Sequence, residues 1–324
     1  MRAAVCPAHG PPEVVRVEDL PSPPLGPGQV RVRVAAAAVN YPDVLLIADE
    51  YQIKVPAPFV PGSEFAGVVT EIADDVAEVA VGDRVSGTGL VGAFAEEAVV
   101  SASGVQPIPP GIDVRVAAAF GVGHRTAYHV LRSVAVLQPG EELIVLGAAG
   151  GVGLAAVQLG SILGASVTAV ASSPEKLEVA AAHGARHLIN HRARPLRDAL
   201  RETLPAGADV VVDPVGGDLS EPALRSLHWG GRFVTVGYAS GVIPKVPLNL
   251  VLLKGIHVLG FQFIDFIAHA TEDFERNEAE LLELLATHRV EPYIGATFPL
   301  ADAAAALRYV ADGKAIGKVV LDIA

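Results

Sequence analysis

Apolar and polar positions divide this chain into two textures. Up to about residue 120, short apolar runs at 14–17, 29–34, 65–72 and 93–100 are separated by Pro and Gly. Pro21-Ser22-Pro23-Pro24 and Gly26-Pro27-Gly28 supply turn chemistry between them. Strands at such spacing predict a small barrel-like β domain. One short helix is expected over 41–47, with Pro42 in its first turn and Asp43 at its positive end. Pro56, Pro58 and Pro61 then hold an extended loop.

Around Asp113 the pattern changes. Segments 114–120 and 126–136 read as helices, and Leu143-Ile144-Val145-Leu146 reads as a fully buried parallel strand. A glycine turn and an Ala-rich helix to about residue 163 follow. Strands are then expected at 165–171, 187–189, 209–212 and 232–236, with helices at 175–183, 196–204 and 219–227 between them, and a last strand at 256–263. Alternating β and α units predict a parallel, doubly wound sheet with right-handed crossovers. An amphipathic helix over 274–286, another over 301–310 ended by Gly313, and a strand at 318–323 are expected to return to the first domain. The expected division is 1–122 with 265–324, and 123–264.

No charged residue or histidine occurs from Leu143 to Pro174, so this stretch must be tested as a membrane span. A spanning helix needs ~20 apolar residues with continuous helical bonding. Glycines at 147, 150, 151, 153, 160 and 164 punctuate the run, which suits strand, turn and helix and not a span. Hydrophobic residues make up 51% of the chain and charged ones 19%, enough apolar material for two cores. The net charge of −12 and the lack of a basic stripe argue against nucleic acid and anionic membranes as partners. The single cysteine, Cys6, cannot form an internal disulfide, which fits a reducing cytoplasm, and no secretory signal is read at the N-terminus.

The glycine turn carries the candidate chemistry. Against the G-x-G-x-x-G pattern, Ala148 replaces the first glycine while Gly150 and Gly153 hold the other two. Strand, turn, helix and second strand follow in the order a dinucleotide pyrophosphate cradle needs, with backbone N–H groups and a helix N-terminus facing the phosphates. A purely structural strand–helix turn is the competing reading. The second strand ends in Ala171-Ser172-Ser173, without the carboxylate that would bond a ribose 2′-OH. Small hydroxyls and Lys176 suit a 2′-phosphate instead, although Lys176 could equally be a solvated helix-surface lysine.

Several separated stretches resemble the zinc-independent quinone oxidoreductase branch of the medium-chain dehydrogenase/reductase superfamily. They are Asn40-Tyr41-Pro42-Asp43, Pro61-Gly62-Ser63-Glu64, Val81-Gly82-Asp83-Arg84-Val85, Thr126-Ala127-Tyr128-His129, Ala148 to Gly153, Gly230-Gly231-Arg232 and Gly317-Lys318-Val319-Val320. The resemblance covers essentially the whole chain. It implies an α/β fold, a Rossmann doubly wound parallel sheet plus a GroES-like β-barrel catalytic domain. No metal is expected: Asn40 and Ser63 stand where zinc-dependent relatives carry Cys and His, and one cysteine cannot build a four-cysteine lobe.

By the same resemblance, Thr126, Ala149, Gly150, Gly151 and Val152 meet the diphosphate. Ser172, Lys176 and a ring residue after the third strand hold the 2′-phosphate of NADPH. The family usually has Tyr at that last place, and this chain has His191, followed by Arg192. Val236, Gly237, Tyr238, Phe261 and Phe263 lie by the nicotinamide side, and Lys314 lies near the C-terminal loop. Asn40 and Tyr51 are the candidate catalytic residues, able to polarise the acceptor oxygen, orient the acceptor or supply a proton. By the resemblance both line the nicotinamide pocket, which makes Asn40 a cofactor contact as well. Asn40 could instead cap the 41–47 helix, and Tyr51 could simply pack on the loop prolines.

The reading is an NADPH-dependent reductase of a small-molecule quinone or α,β-unsaturated carbonyl. It is expected to be a homodimer joined through the apolar edge strand at 255–261. One alternative is an enoyl-thioester reductase, for which Arg125 and Lys245 are the only basic mouth candidates. Another is a cofactor-binding protein with a structural or regulatory role and negligible turnover. A short-chain dehydrogenase is disfavoured, because its Tyr-x-x-x-Lys motif would need Lys where Val55 stands.

Overall fold

The computed structural model describes residues 1–323. The first part of the chain forms β1 (Arg2–Val5), β2 (Arg16–Asp19), β3 (Gln29–Val39), α1 (Tyr41–Ile47), β4 (Glu64–Ile72), β5 (Arg84–Thr88), β6 (Glu97–Ser101) and β7 (Val105–Pro107). β3 organises this half. Its first part alternates, with Val30, Val32 and Val34 buried and Arg31 and Arg33 turned outward, and four small alanines follow. It pairs antiparallel with both β4 and β6, and its register against β4 shifts between Val34 and Ala36. Such an irregularity bends a strand and strengthens its twist. Phe65, Phe94 and Ile47 are buried in the enclosed core.

The second part begins with α2 (Val114–His129), which runs on into a π-helical turn, Val130–Val134. The two helices expected at 114–120 and 126–136 are therefore one continuous element. Then come β8 (Glu142–Leu146), α3 (Gly151–Ile162), β9 (Ser166–Ala171), α4 (Pro174–Ala182), β10 (His187–Asn190), α5 (Leu196–Thr203), β11 (Ala208–Asp213), α6 (Ser220–Ser226), β12 (Leu227–Thr235), α7 (Leu248–Lys254), β13 (His257–Gly260), α8 (Phe263–His269) and α9 (Thr271–Ala286). The six strands form one parallel sheet in the order β10-β9-β8-β11-β12-β13. Leu143 to Leu146 are fully buried, as four consecutive apolar residues in a parallel strand covered on both faces should be. The strand order reverses between β8 and β11, and crevices outside such a switch point bind ligands in doubly wound folds.

The last strand is shorter than the 256–263 expected. After Gly260 the chain turns into α8, because the Gln262 side chain accepts the Asp265 N–H at 2.6 Å and caps a helix there. The chain closes with β14 (Ile294–Pro299), α10 (Ala303–Ala311) and β15 (Lys318–Asp322). β15 joins β3 antiparallel and β14 lies parallel to β15, giving the sheet order β14-β15-β3-β4-β5-β7 with β6 also on β3.

Two compact units result: Met1–Val122 with the chain from Glu291 onward, and Gly123–Val290. The return to the first unit therefore falls at 291, not at 265. The physical reason is a polar seam between α2 and α9. Glu278 binds Arg125 at 2.8 Å and His129 at 3.0 Å, Glu280 accepts the Tyr128 hydroxyl at 2.8 Å, and Asn277 donates to Ser133 at 2.9 Å. No helix among the described residues is long and apolar enough to cross a membrane.

Candidate functional site

In the parallel-sheet unit, the turn after β8 has the geometry of a phosphate cradle. Gly147 takes a left-handed backbone, φ +60°, so the tight turn is made one residue earlier than the motif's first position. This explains why Ala148 is tolerated there. Gly153 serves close packing: a Cβ on it would stand 2.1 Å from the Gly147 carbonyl oxygen. A Cβ on Gly150 would meet only that same oxygen, at an ordinary 3.5 Å, so the backbone of the turn is open on its far side. Gly150 caps α3 without a side-chain bond. The first N–H groups of α3, from Gly151 and Val152, have no acceptor within the helix and add the positive end of its dipole.

The neighbouring strand ends complete this edge. β9 ends at Ala171, and Ser173 caps α4 by accepting the Lys176 N–H at 3.4 Å. The His191 N–H donates to the Ala171 carbonyl at 3.1 Å, which ties the residue after β10 to the end of β9. Ser172, Lys176 and His191 are half-buried and Arg192 is exposed. Burial lowers the Lys176 pKa, and the Arg192 charge lowers it further. Burial also lowers the His191 pKa, assisted by Arg192 and then Lys176. These groups form one electropositive cluster at a strand end that lacks a carboxylate.

Beyond the switch point, Asp213 organises two loops. It is fully buried at the end of β11. One oxygen accepts the N–H groups of Val215 and Gly216 at 2.8 Å, and the other accepts the Ser220 hydroxyl at 2.6 Å. The turn so formed accepts the Ser240 N–H at Val215 and donates from Gly217 to Val242, both at 2.9 Å. The segment that carries Val236, Gly237 and Tyr238 is thereby fixed. Sequence reasoning missed Asp213; the run Asp213-Pro214-Val215-Gly216-Gly217 at a strand end was the available signal.

Phe261 and Phe263, at the end of β13, join Phe266, Phe274 and His129 in an aromatic cluster with centroid separations of 4.9 to 6.3 Å. The Arg125 guanidinium lies 4.9 Å from the Phe263 ring centroid and is paired with Glu278, so it is built into the scaffold. Thr126 sits half-buried on α2. The cradle, the cationic cluster, the Asp213 loops and the two phenylalanines all lie at the carboxyl ends of the parallel strands.

The barrel unit holds a buried polar cluster of its own. The Lys318 ammonium donates to Asn40 Oδ1 at 2.6 Å and to Glu64 Oε1 at 2.5 Å. Asn40 Nδ2 donates to Glu64 Oε1 at 2.9 Å and to the Ser63 hydroxyl at 3.2 Å. Glu64 Oε2 accepts the Val122 N–H at 2.8 Å, an approach that Gly121 permits, since a Cβ there would lie 3.1 Å from that oxygen. Asn40 has two amide hydrogens, and both are engaged inside the cluster. It therefore acts as a brace here, and its backbone N–H is held by Asp43 Oδ2 at 2.7 Å.

Burial pushes the Asp43 carboxyl up to about 7. The Asn40 N–H, the Ser63 hydroxyl and the Lys318 charge oppose that rise, and Glu64 reinforces it. Tyr51 is half-buried against the barrel core. Burial raises its pKa, the Asp43 charge raises it further, and a hydrogen bond with Gln52 opposes the rise. The phenol is thus held in its protonated, donating form. Lys314 is exposed and paired with Asp312 at 3.0 Å. Sequence reasoning passed over Glu64 and Lys318 as functional residues, because an apolar strand context gave no hint that their side chains meet across the barrel. Among the described residues, no group of three His, Cys, Asp or Glu side chains is arranged to hold a metal ion.

Comparison with known proteins agrees with both units. Residues 26–110 match the alcohol dehydrogenase GroES-like domain, and residues 151–284 match the zinc-binding dehydrogenase domain. Quinone oxidoreductase-like protein 2 of Bos taurus is 37% identical over 324 residues, covering 99% of this chain and 92% of its own. Among solved structures, the quinone oxidoreductase of Escherichia coli complexed with NADPH superposes with a TM-score of 0.93 at 27% identity, covering all of both chains. That of Thermus thermophilus, solved alone and with NADPH, gives 0.86 at 33% identity, again over all of both chains. Two domain matches in the right order and full-length similarity to such relatives leave one conclusion: the chain belongs to the zinc-independent quinone oxidoreductase branch of the medium-chain dehydrogenase/reductase superfamily.

Proposed function

We propose that the protein is an NADPH-dependent reductase that delivers hydride to a quinone or an α,β-unsaturated carbonyl. The observation that carries the cofactor choice is the end of β9. Lys176, His191 and Arg192 gather there where a carboxylate would serve NADH. The NADPH complexes of the Escherichia coli and Thermus thermophilus relatives support the same choice. The cradle fits the group, because Gly147 and Gly153 bring backbone N–H groups up to where a diphosphate would lie. Thr126, Ala149, Gly150, Gly151 and Val152 are its proposed diphosphate contacts. Val236, Gly237, Tyr238, Phe261 and Phe263 serve the nicotinamide side, and Lys314 serves the C-terminal loop.

When bound, the dihydronicotinamide supplies the hydride, and the protein supplies orientation and electrostatics. Asn40 braces the barrel cluster, so the donor duty falls to Tyr51. Its phenol stabilises charge on the acceptor oxygen by hydrogen bonding. No metal is required in this scheme, because the Lys318 ammonium already neutralises Glu64. Activity should therefore survive chelation unchanged. The enoyl-thioester alternative is weaker, because Arg125, one of its two basic mouth candidates, is paired with Glu278. We further propose a homodimer through β13, where Val258 is 42% exposed on the edge strand and Leu248, Leu252 and Leu253 are exposed just before it in sequence. A reducing compartment such as the cytoplasm suits the lone buried thiol of Cys6.

The test is steady-state oxidation of NADPH and NADH with a panel of quinones and enones, run beside the Tyr51→Phe variant. We expect kcat/KM to favour NADPH. Tyr51→Phe should cost little with quinones and more in kcat with enones, whose enolate is more basic. A preference for NADH would overturn the cofactor choice. Absence of turnover with tight NADPH binding would favour the structural or regulatory alternative. Unchanged rates in Tyr51→Phe would reduce Tyr51 to a packing residue.

A further inference from the structure

The cluster beside the end of β9 contains one group whose charge changes near neutral pH. His191 is pinned by its backbone N–H to the Ala171 carbonyl at 3.1 Å, at the same strand end where Ser173 accepts the Lys176 N–H at 3.4 Å and opens α4. The charged groups that bear on it are Lys176 from α4 and Arg192 from its own segment. Glu175 acts on Lys176 from the same turn and offsets part of that charge. With no anion present, two cations beside a half-buried imidazole disfavour its protonation. A dianion placed among the three reverses the sign of that field.

We propose that His191 is a proton-linked third cation of the 2′-phosphate site, so that NADPH, unlike NADH, binds together with a proton taken from solvent. This rests on the NADPH reading above and deepens it. The proton adds to the free imidazole nitrogen, no bond of the nucleotide changes, and the buffer supplies the proton. A phosphate monoester has its second pKa near 6, so at pH 7.5 the ligand is already dianionic and has almost no proton of its own to release. NADH presents only a 2′-hydroxyl at this position and creates no such field. Selectivity for NADPH therefore strengthens as pH falls from about 8 toward the range in which free His191 is itself protonated, and declines below about 6 as the phosphate takes up a proton of its own.

Isothermal titration calorimetry of the intact protein at pH 7.5, in two phosphate-free buffers of different ionisation enthalpy, reads the proton count directly. NADPH should bind with uptake of a sizeable fraction of one proton, and NADH with none. The NADPH Kd should weaken with rising pH by at most about tenfold per unit, the limit for one proton, while the NADH Kd stays flat. His191→Gln should abolish the uptake and the slope, and should leave NADH affinity unchanged, which also reports that the variant is folded. His191→Tyr should restore tight NADPH binding without uptake, because a phenol does not titrate in this range. Tight NADPH binding without proton uptake would overturn the role of His191 while sparing the cofactor choice. So would uptake that persists in His191→Gln, which would point to Lys176. NADH binding tighter than NADPH would overturn both.

Discussion

Replacing Lys318 by Met should be among the most damaging single changes in the barrel unit. The Lys318 and Glu64 side chains are 4% and 1% exposed, and the ammonium donates to Glu64 at 2.5 Å and to Asn40 at 2.6 Å. At an effective dielectric of about 20, opposite charges at this distance attract by roughly 6–7 kcal/mol. Desolvation of the two ions consumes several kcal/mol each, so the net worth of the pair is small. Removing one partner is another matter, because the desolvated carboxylate of Glu64 stays behind without its cation. Losing one member of a buried pair costs about 3–5 kcal/mol. Glu64→Gln should cost a similar amount for the mirror reason. The double variant removes both charges. Its Gln amide oxygen can accept from Asn40 or from Val122, which meet different oxygens of Glu64, so one contact is lost, yet it should be more stable than either single variant. Urea unfolding of the four proteins at pH 7 gives the coupling energy. A cost below about 1 kcal/mol for Lys318→Met, or a double variant as unstable as the sum of the singles, would refute the reasoning.

Gly153→Ala places a methyl 2.1 Å from the Gly147 carbonyl oxygen and should cost stability by about 1–3 kcal/mol, whereas Gly150→Ala, with an ordinary 3.5 Å contact, should fold normally. Equal melting temperatures for the two variants would contradict the cradle geometry. Asp43 carries a folded pKa of about 7 against 3.8 when unconstrained. The stability it contributes is present in full below the unfolded value and is lost as pH rises through about 7. Asp43→Asn, followed by denaturant unfolding, should therefore gain on the parent by about 3 kcal/mol between pH 5 and pH 8; parallel pH–stability curves would sink this account. Val258→Asp on the edge strand β13 should shift the protein toward monomer in sedimentation at micromolar concentration, and a parent that is already monomeric would remove the basis for the dimer.

The parallel-sheet unit was the more legible half of the chain. Its strands are continuous apolar runs such as Leu143–Leu146, its turns carry glycine, and each signal is local. The cradle residues and the strand end at Ala171 could be located for the same reason. Failures arose where local pattern and tertiary pairing disagree. The helices expected at 114–120 and 126–136 are one, and the glycines between them, Gly121 and Gly123, serve close approaches, to Glu64 and to the Gly151 carbonyl. The segment 265–290 was assigned to the wrong unit, because its partners on α2, Arg125, Tyr128 and His129, lie about 150 residues upstream. β14 escaped notice because an edge strand that is alternately half-buried and exposed carries too few apolar residues to stand out.

The barrel cluster shows what a list of site residues leaves out. Asn40 was singled out because an amide can polarise an acceptor oxygen. Its side chain instead gives both hydrogens to Glu64 and Ser63 and its oxygen to Lys318. A donor held this way cannot turn to an acceptor without breaking a bond to a buried, charged partner, and that would cost more than a neutral hydrogen bond returns. For Tyr51, the other proposed donor, a raised pKa keeps the proton on the phenol at neutral pH. The same cluster governs that neighbour, because Asp43 adds negative charge near Tyr51 once it ionises. The Ser63 and Asn40 side chains are thus both engaged within this cluster. Asn40 holds Lys318, whose ammonium supplies positive charge beside Glu64, and Ser63 in turn accepts from the Asn40 amide.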